Sequence, residues 1–242
     1  MVSTRQGSLS VYQNWARLSR GCDKALTMLS NFVIIKTEYF FTLARMTMKR
    51  LLITGFEPFG GEEINPSWEA VSRLPNEINE YTLSKLRIPV VFEGAAECVL
   101  RAAKDLHPDV ILCIGQAGGR NAITPELVAI NLRYAKIPDN ADFQPQDEPI
   151  IPSGACAYFS TLPVRKMAEA INNAGIASQV SYSAGAYVCN DLLYTLLTHF
   201  EGTQTRVGFV HIPYSKEQKK EPSMELSEMV KGLTVAIETL DA

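Results

Sequence analysis

The sequence predicts an α/β fold: a single three-layer α/β/α domain built on a twisted, mixed but mostly parallel central sheet. Three observations lead to this prediction. Continuously apolar runs, which are typical of strands buried on both faces, alternate with amphipathic segments of helical periodicity. No internal repeat interrupts this alternation. A length of 242 residues suits one domain of this kind.

The first half of the alternation begins at Lys49. Its segments are, in order, the strand KRLLITGF, the helix NPSWEAVSRL, the helix EGAAECVLRAAKDL and the strand DVILCIG. Asn65 and Pro66 open the first helix, since an asparagine cap followed by proline in the first turn is a typical helix start. Because helical segments separate the strands, we expect a sheet covered on both faces.

The second half continues the alternation to the end of the chain. Its segments are, in order, the strand ELVAINLRYA, the helix TLPVRKMAEAINNAG, the strand SQVSYSA, a helix that begins near Ala186, the strand RVGFVHIPY and the helix SMELSEMVKGLTVAIETL. Gly175 is expected to end the first of these helices, because glycine readily adopts the backbone conformation that closes a helix. The charged residues 215–223 are expected to form a solvated loop.

Residues 1–47 differ in composition from residues 48–242. They hold six basic and two acidic residues, whereas the remainder holds 17 basic and 24 acidic ones. We therefore expect an N-terminal extension, residues 1–47, and a separate domain, residues 48–242. The extension would be poorly ordered or a mis-assigned start, with Met46 or Met48 as the true first residue. A transit peptide is the alternative, because such segments are rich in arginine and poor in acidic residues.

The charge and cysteine content argue against several classes of function. Basic and acidic residues total 23 and 26, and no basic stripe with interleaved aromatic residues points to nucleic acid. The apolar pieces of the extension are too short and too often charged to cross a membrane. The five cysteines lack CxxC spacing, so neither a disulfide framework nor a zinc site is expected; they are Cys22, Cys98, Cys113, Cys156 and Cys189. This composition predicts a reducing, cytoplasmic location and a small partner molecule.

The glycine-rich segment TGFEPFGG, residues 54–61, follows the first strand, where many α/β proteins bind phosphate. It has neither the GxGxxG spacing nor a terminal Lys-Ser/Thr pair, so a nucleotide is not expected. Phe56 and Phe59 lie in this segment at the carboxyl end of a strand, the edge at which open sheets build their sites. They are interpreted either as packing anchors or as the wall of a pocket for a small apolar ligand.

Cys189 lies just after a glycine turn, in the first turn of a predicted helix. Unpaired N–H groups and the positive end of the helix dipole favour a thiolate there, which makes Cys189 a candidate nucleophile. The alternative is a structural cysteine, because free cysteine is among the residues most often buried. Of the three histidines, His107 and His199 are poorly placed. His211 ends an apolar strand and can meet the helix start in the same crevice.

A cysteine–histidine pair usually needs a third group that fixes the imidazole tautomer and stabilises its cationic form. Glu126, Asp139 and Asp191 are the candidates for this group. Each of them is equally compatible with a solvated turn carboxylate, and periodicity does not choose among them.

Five longer motifs follow one another across the 195 residues from Met48 to the end. They are LLITGFEPFGGEEINPS, GQAGGRNAITPELVAIN, IPDN, SYSAGAYVCND and GFVHIPY. In these motifs the chain resembles the pyroglutamyl-peptidase I family, the pyrrolidone-carboxylate peptidases, which are cysteine exopeptidases that remove N-terminal pyroglutamate. The resemblance implies that Glu126, Cys189 and His211 are the catalytic residues, with Cys189 as nucleophile and His211 as general base.

The resemblance also implies a pocket for the lactam ring of pyroglutamate. The residues implied for this pocket are Phe56, Phe59, Asn65, Ile137, Tyr187 and Val188. Pyroglutamate is uncharged and has no free α-amine, so an aromatic slot with hydrogen bonds to the lactam would select it over ordinary N-termini. Lys136 departs from the family, which commonly has arginine just before IPDN. A bidentate guanidinium contact would be lost at this position.

The implied reaction proceeds through a thioester acyl-enzyme on Cys189 and needs no metal or cofactor. The implied partners are N-terminally pyroglutamylated peptides, together with further copies of the chain in a homo-oligomer such as a tetramer. Two alternatives belong to other classes of protein. One is a phosphorylase-like small-molecule enzyme, and the other is a catalytically silent binding protein that kept the fold.

Overall fold

The structure, a computed structural model, describes residues 48–241. The predictions made for the extension, residues 1–47, lie outside these described residues. From residue 49 onward, the described chain is a mixed succession of strands and helices, as the α/β prediction requires.

The strands of the described region form one large and two small sheets. Their bounds are β1 Lys49–Phe56, β2 Glu77–Ile78, β3 Tyr81–Ile88, β4 Val110–Gln116, β5 Thr124–Pro125, β6 Val128–Ile130, β7 Ala157–Phe159, β8 Arg206–Ile212, β9 Tyr214–Ser215 and β10 Ser223–Met224. The large sheet has the order β2-β3-β1-β4-β8-β5, and β6-β7 and β9-β10 form the small ones. The four central strands are parallel and the two edge strands are antiparallel, so the sheet is mixed as predicted.

Helices cover both faces of the large sheet. Their bounds are α1 Pro66–Arg73, α2 Gly94–Leu106, α3 Val164–Asn173, α4 Val188–His199 and α5 Leu226–Glu238. Buried residues of α1, α3 and α5 share one apolar cluster with the sheet, and those of α2 and α4 share another. This arrangement confirms the three-layer α/β/α prediction. Within residues 48–241, no helix combines the length and apolar character needed to cross a membrane.

The alternation of side chains along β8 determines where its polar residue points. Val210 and Ile212 belong to the cluster with α1, α3 and α5, whereas Val207 and Phe209 belong to the cluster with α2 and α4. Successive side chains of a strand point to opposite faces, so His211 projects to the same face as Phe209. The histidine therefore lies on the face that α4 covers.

Two predicted helix ends agree with the structure. The Asn65 Oδ1 atom accepts a hydrogen bond from the backbone N–H of Ser67 at 3.1 Å, and Pro66 opens α1. Gly175 follows α3 with a φ of +81°, a left-handed conformation that side-chain-bearing residues rarely adopt. Local sequence signals therefore located these two ends correctly.

Two predicted strands and one predicted loop need correction, and one strand is missed. Within the loop predicted over residues 215–223, Lys216–Gln218 form a 3-10 helix, and the first and last residues belong to β9 and β10. ELVAINLRYA contributes only Val128–Ile130, and SQVSYSA is extended but makes only isolated bridges, at Ser178 and Ser181. The sequence interpretation also misses β3, whose segment YTLSKLRI interleaves polar residues with apolar ones. β3 lies next to the edge of the sheet, where only some of its side chains are buried, and this weakens its apolar pattern.

Candidate active site

A cavity of about 440 Å³ opens near the carboxyl ends of β1, β4 and β8. Its wall is formed by Phe56, Phe59, Asn65, Val90, Gln116, Ala117, Arg120, Ser183, Ala184, Gly185, Tyr187, Cys189 and His211. This is the edge at which open α/β sheets usually bind ligands, and the volume is typical of small-molecule sites. The cavity therefore lies where the sequence predicts a site.

Cys189 is the second residue of α4, which begins two residues later than predicted. Its sulfur packs against the backbone at the end of β4. A Cβ atom placed on Gly115 would lie 3.1 Å from the Cys189 Sγ and 2.7 Å from the Cζ of Phe209. Gly115 therefore provides the space that lets the sulfur lie at the base of the cavity.

The Cys189 thiol lines the cavity but is half-buried and largely enclosed by protein. Burial raises the pKa of the Cys189 thiol to about 12; the charge of Glu126 adds to this rise, whereas the charge of Arg120 opposes it. Loss of solvent thus opposes the thiolate that the first-turn position is predicted to favour. A neighbouring base has to remove the proton.

His211 lines the same cavity as Cys189 and is only 3% exposed. Its Nδ1 atom lies 2.7 Å from Oε1 of Glu126. A carboxylate only accepts hydrogen bonds, so Nδ1 carries the proton and Nε2 remains as the basic nitrogen of the ring. The contact fixes both the tautomer and the orientation of the imidazole.

Glu126 reaches His211 because β5 pairs antiparallel with β8. The Glu126 N–H donates to the carbonyl of Phe209 at 2.9 Å, and the Glu126 side chain has no exposed surface. Burial alone would raise the pKa of Glu126, but the hydrogen bond and charge of His211, helped by the charge of Arg120, bring it below its ordinary value. Glu126 is therefore held as a carboxylate.

The other carboxylates and histidines that the sequence offers lie elsewhere. Asp139 accepts hydrogen bonds from the backbone N–H groups of Phe92, Ala141 and Phe143. Asp191 lies on α4 beside Cys189, but its Oδ1 atom is 2.6 Å from Nε of Arg133. His107 and His199 line a different cavity, near the start of β4 and β8. Of these candidates, Glu126 is the carboxylate in contact with the cavity histidine.

Aromatic residues form one end of the cavity. The ring centroids of Phe59 and Tyr187 lie 6.3 Å apart, and Phe56 lines the same wall. The Tyr187 hydroxyl donates to the carbonyl of Pro138 at 3.0 Å, which fixes the position of its ring. Asn65 lines the cavity as well as capping α1, so the pocket and capping roles considered for it coexist.

The structure does not bring Val188, Ile137 or Lys136 into this wall. Val188 has no exposed surface, because its position next to Cys189 on the helix turns its side chain into the core. Ile137 is 47% exposed, and its Cδ1 atom lies 3.7 Å from the place of a Cβ on Gly60. Lys136 is exposed in the same loop. Of the six pocket residues implied by the resemblance, Phe56, Phe59, Asn65 and Tyr187 line the cavity.

A family model described as pyroglutamyl peptidase matches residues 49–242 of the chain. The chain belongs to the pyroglutamyl peptidase family. The match covers the whole described domain, including all three residues of the Cys–His–Glu arrangement. The resemblance found in the sequence motifs is thereby confirmed.

Relatives in this family match over most of their own length. The pyrrolidone-carboxylate peptidase of Levilactobacillus brevis is 52% identical over 197 residues, which cover 79% of this chain and 97% of the relative. The crystal structure of pyroglutamyl peptidase I from Bacillus amyloliquefaciens gives a TM-score of 0.76 at 45% identity, covering 79% of this chain and 96% of that one. The pyrrolidone carboxyl peptidase from Thermococcus litoralis gives 0.77 at 34% identity, covering 80% and 93%.

The sequence interpretation misses one charged residue of the site. Arg120 lines the cavity, and its Nη1 atom lies 2.6 Å from Oε1 of Glu126 and 2.5 Å from the hydroxyl of Thr124. Its Nη2 atom donates to the carbonyl of Ser183 at 3.1 Å. The available signal was an arginine inside the motif GQAGGRNAITPELVAIN, six residues before Glu126.

Gln116 is a second missed residue. It ends the otherwise apolar strand β4 and lines the cavity, and this single polar residue at a strand end was the signal for it. Its Oε1 atom accepts a hydrogen bond from Nε2 of Gln218 at 2.9 Å. The Gln116 amide nitrogen is thus left as a donor at the cavity.

The described region offers no cluster of metal ligands. Between residues 48 and 241, no three His, Cys, Asp or Glu side chains lie close enough together to hold an ion. The cysteines of this region, which carry free thiols, are Cys98, Cys113, Cys156 and Cys189.

Proposed function

We propose that the chain is a cysteine exopeptidase that hydrolyses the amide bond after an N-terminal pyroglutamyl residue of peptides. The observation that carries the proposal is the 2.7 Å contact between His211 Nδ1 and the buried Glu126, in the cavity that also contains Cys189. A nucleophile, a base and a group that orients the base are the parts that acyl transfer to cysteine requires. Relatives named pyrrolidone-carboxylate peptidase support the same substrate class.

The first half of the reaction forms the acyl-enzyme. The Cys189 sulfur attacks the pyroglutamyl carbonyl carbon while its proton passes to Nε2 of His211. The resulting imidazolium is stabilised by the carboxylate of Glu126, at 2.7 Å from Nδ1. His211 then gives the proton to the amide nitrogen, the C–N bond breaks, and the shortened peptide leaves a thioester on Cys189.

The second half releases pyroglutamate. A water molecule gives a proton to Nε2 of His211 as its oxygen adds to the thioester carbonyl. The C–S bond then breaks, and the Cys189 sulfur takes the proton back from the imidazolium. In both halves, N–H groups at the start of α4 stabilise the oxyanion, because the first N–H groups of a helix have no intrahelical acceptor.

The cavity wall suits an uncharged lactam. Phe56, Phe59 and Tyr187 supply a flat apolar surface for the ring. The amide nitrogen of Gln116 is available to donate to the lactam carbonyl, since only its oxygen is engaged by Gln218. A charged α-amine would lose its solvation against the aromatic wall without gaining a partner there, which disfavours ordinary N-termini.

We further propose a cytoplasmic location and self-association into a homo-oligomer such as a tetramer. The free thiols of the described region support a reducing compartment. Light scattering on the purified full chain measures the assembly, and a strictly monomeric species would contradict this part of the proposal. The phosphorylase-like and silent-binding alternatives gain no support from the named relatives.

The test of the proposed activity measures release of a fluorescent amine from its pyroglutamyl and leucyl amides under reducing conditions. The full chain, the Cys189→Ser variant and the Cys156→Ser variant are compared. Cys156 is an exposed cysteine and does not line the cavity, so its variant is the matched control. We expect turnover of the pyroglutamyl amide alone, retained in Cys156→Ser and lost in Cys189→Ser. Full activity of the folded Cys189→Ser variant would overturn the assignment of the nucleophile.

A further inference from the structure

A second, shallower cavity of about 370 Å³ adjoins the candidate active site. Its wall is formed by Arg120, Thr124, Gln179, Ser181, Tyr182 and Ser183. Arg120 and Ser183 also line the candidate active site, so the two cavities share a boundary. We call this second cavity the polar groove, because each residue of its wall carries a hydrogen-bonding side chain.

The two ends of the candidate active site differ in chemistry. Phe56, Phe59 and Tyr187 form the aromatic end, whereas Arg120 and Ser183 form the polar end that borders the groove. If the lactam ring occupies the aromatic end, the chain beyond the scissile amide can continue across Arg120 and Ser183 into the groove. We propose that the polar groove binds the residues that follow pyroglutamate in the substrate, an inference that rests on the proposed function.

The boundary between the cavities is held in place by hydrogen bonds. The Arg120 guanidinium bonds Glu126 and Thr124 through Nη1 and the carbonyl of Ser183 through Nη2. This fork joins the catalytic carboxylate proposed above to the segment that contains Gln179. A peptide crossing the boundary would therefore pass over a preformed wall, which reduces the entropic cost of binding.

The floor of the groove is an extended segment with alternating side chains. Gln179 and Ser181 donate their backbone N–H groups to the carbonyls of Ile123 and Pro125, at 3.2 and 2.9 Å. The side chains of Gln179 and Ser181 lie on one face of the segment, because alternate residues of an extended chain share a face, and Ser183 lines the groove after the bend at Tyr182. The Gln179 amide can donate to and accept from peptide groups. The Ser183 hydroxyl, whose oxygen accepts from the backbone N–H of Gly185 at 3.2 Å, keeps its own proton to donate. Neither group selects a particular substrate side chain.

Gln179 is the residue at which this proposal is most directly testable. It is exposed, so replacing it by a charged residue should not disturb the core. Gln179→Glu and Gln179→Lys place opposite charges in the groove without changing the catalytic residues. Gln204 is an exposed glutamine that lines the cavity near the start of β8, away from the candidate active site. Gln204→Glu and Gln204→Lys therefore match the change in net charge outside the groove.

The experiment measures kcat/KM for peptide amides that carry Glu or Lys at the first or second position after pyroglutamate, with the released peptide quantified by mass spectrometry. Gln179→Glu should favour the lysine peptides over the glutamate peptides, and Gln179→Lys should do the reverse, each by about two- to fivefold relative to the wild type. The two Gln204 variants should leave the preference between lysine and glutamate peptides unchanged. A pyroglutamyl amide of a fluorescent aminocoumarin, which has no residue after pyroglutamate, is assayed in parallel. Its hydrolysis by each variant reports whether the catalytic centre is intact.

The two proposals fail in different ways. If the wild-type chain cleaves neither the coumarin amide nor any pyroglutamyl peptide, the proposed function is wrong, and the groove proposal falls with it. If the coumarin amide and the peptides are cleaved but the Gln179 pair shifts the preference no more than the Gln204 pair, the proposed function stands and the groove proposal is overturned. The groove proposal is supported if Gln179→Glu and Gln179→Lys shift the peptide preference in opposite directions and the two Gln204 variants do not shift it. General structural damage would not reverse with the sign of the charge.

Discussion

The Nδ1 atom of His211 lies 2.7 Å from Oε1 of Glu126, and both side chains are almost completely buried. This contact determines which ring nitrogen is basic. With a carboxylate as acceptor, the proton stays on Nδ1 and the lone pair stays on Nε2. The first prediction concerns Glu126→Gln, a variant that removes this constraint and leaves the shape of the side chain unchanged.

Glu126→Gln should lower kcat by about 10²- to 10⁴-fold, because the amide can donate to Nδ1 and so favours the tautomer that has no lone pair on Nε2. The loss of the negative charge also removes stabilisation of the imidazolium. Steady-state kinetics with the pyroglutamyl coumarin amide measure the effect, and circular dichroism checks the fold. A variant that folds and keeps near wild-type kcat would show that Glu126 does not orient the base.

Arg120 allows a second prediction, on pH dependence. Burial opposes ionisation of Glu126, and the hydrogen bond and charge of His211, with the charge of Arg120, keep its pKa below the ordinary value of 4.5. Arg120→Gln removes one of the cations, so the pKa of Glu126 should rise and the carboxylate should become protonated at a higher pH. We expect the acid limb of the kcat/KM profile to move upward by about one pH unit.

Two further variants separate this effect from a structural one. Arg120→Lys keeps the charge but lacks the fork that reaches Thr124 and Ser183, so its acid limb should lie closer to that of the wild type. Arg73→Gln removes an exposed arginine that pairs with Glu69 at 3.8 Å and does not line the cavity, so its profile should match the wild type. An unchanged acid limb in Arg120→Gln would contradict an electrostatic role for Arg120.

The sequence predicted the fold and most of the catalytic geometry because these features follow from local rules. The apolar run before His211 and the glycine turn before Cys189 indicated a strand end and a helix start at the same edge of the sheet. The role of Glu126 came from the family resemblance alone, since its contact with His211 depends on how β5 pairs with β8. Arg120 was missed for a related reason: its place in the cavity wall and its contact with the carbonyl of Ser183 arise only on folding.

The pocket shows the limits of the sequence more clearly. Val188 and Tyr187 are adjacent in the sequence, yet only Tyr187 lines the cavity, because α4 begins at Val188 and turns that side chain into the core. The thiol is a similar case. Its position at a helix start was readable from the sequence, but the burial that raises its pKa comes from strands β4 and β8 packed around it.

That burial supports a third prediction, on alkylation of Cys189. A pKa of about 12 means that the thiol stays protonated in the free protein at neutral pH. The reactive thiolate fraction should therefore increase steadily between pH 6 and pH 10, because each pH unit below the pKa reduces that fraction about tenfold. Iodoacetamide labelling followed by peptide mass spectrometry measures the rate at Cys189, with the exposed Cys156 as an internal reference.

His211→Gln should slow this labelling further if the imidazole assists removal of the proton. A rate that is already constant below pH 8 would contradict the raised pKa and would indicate a preformed thiolate–imidazolium pair. Equal labelling rates in the wild type and His211→Gln would show that the histidine does not act on the thiol.

The last prediction concerns Asp191, which lies two residues after the nucleophile but contributes to stability and not to the reaction. Its side chain has no exposed surface; Oδ1 lies 2.6 Å from Nε of Arg133, and Oδ2 accepts from the backbone N–H of Glu93 at 2.9 Å. Asp191→Asn leaves the Arg133 side chain, which is 10% exposed, without its buried counter-charge. The free energy of unfolding should fall by about 3 kcal/mol, because a buried charge that loses its partner is strongly destabilising.

Glu93→Gln is the matched control, since Glu93 pairs with the same arginine through a side chain that is 66% exposed. Its cost should stay below about 1 kcal/mol, as is usual for pairs that water screens. Urea unfolding followed by fluorescence measures both variants, and kinetics at a temperature where each is folded separate stability from catalysis. If Asp191→Asn instead keeps its stability and loses turnover as fully as Glu126→Gln, then Asp191 takes part in the reaction. Because its carboxylate is directed to Arg133 and does not line the cavity, we expect the loss to appear in stability.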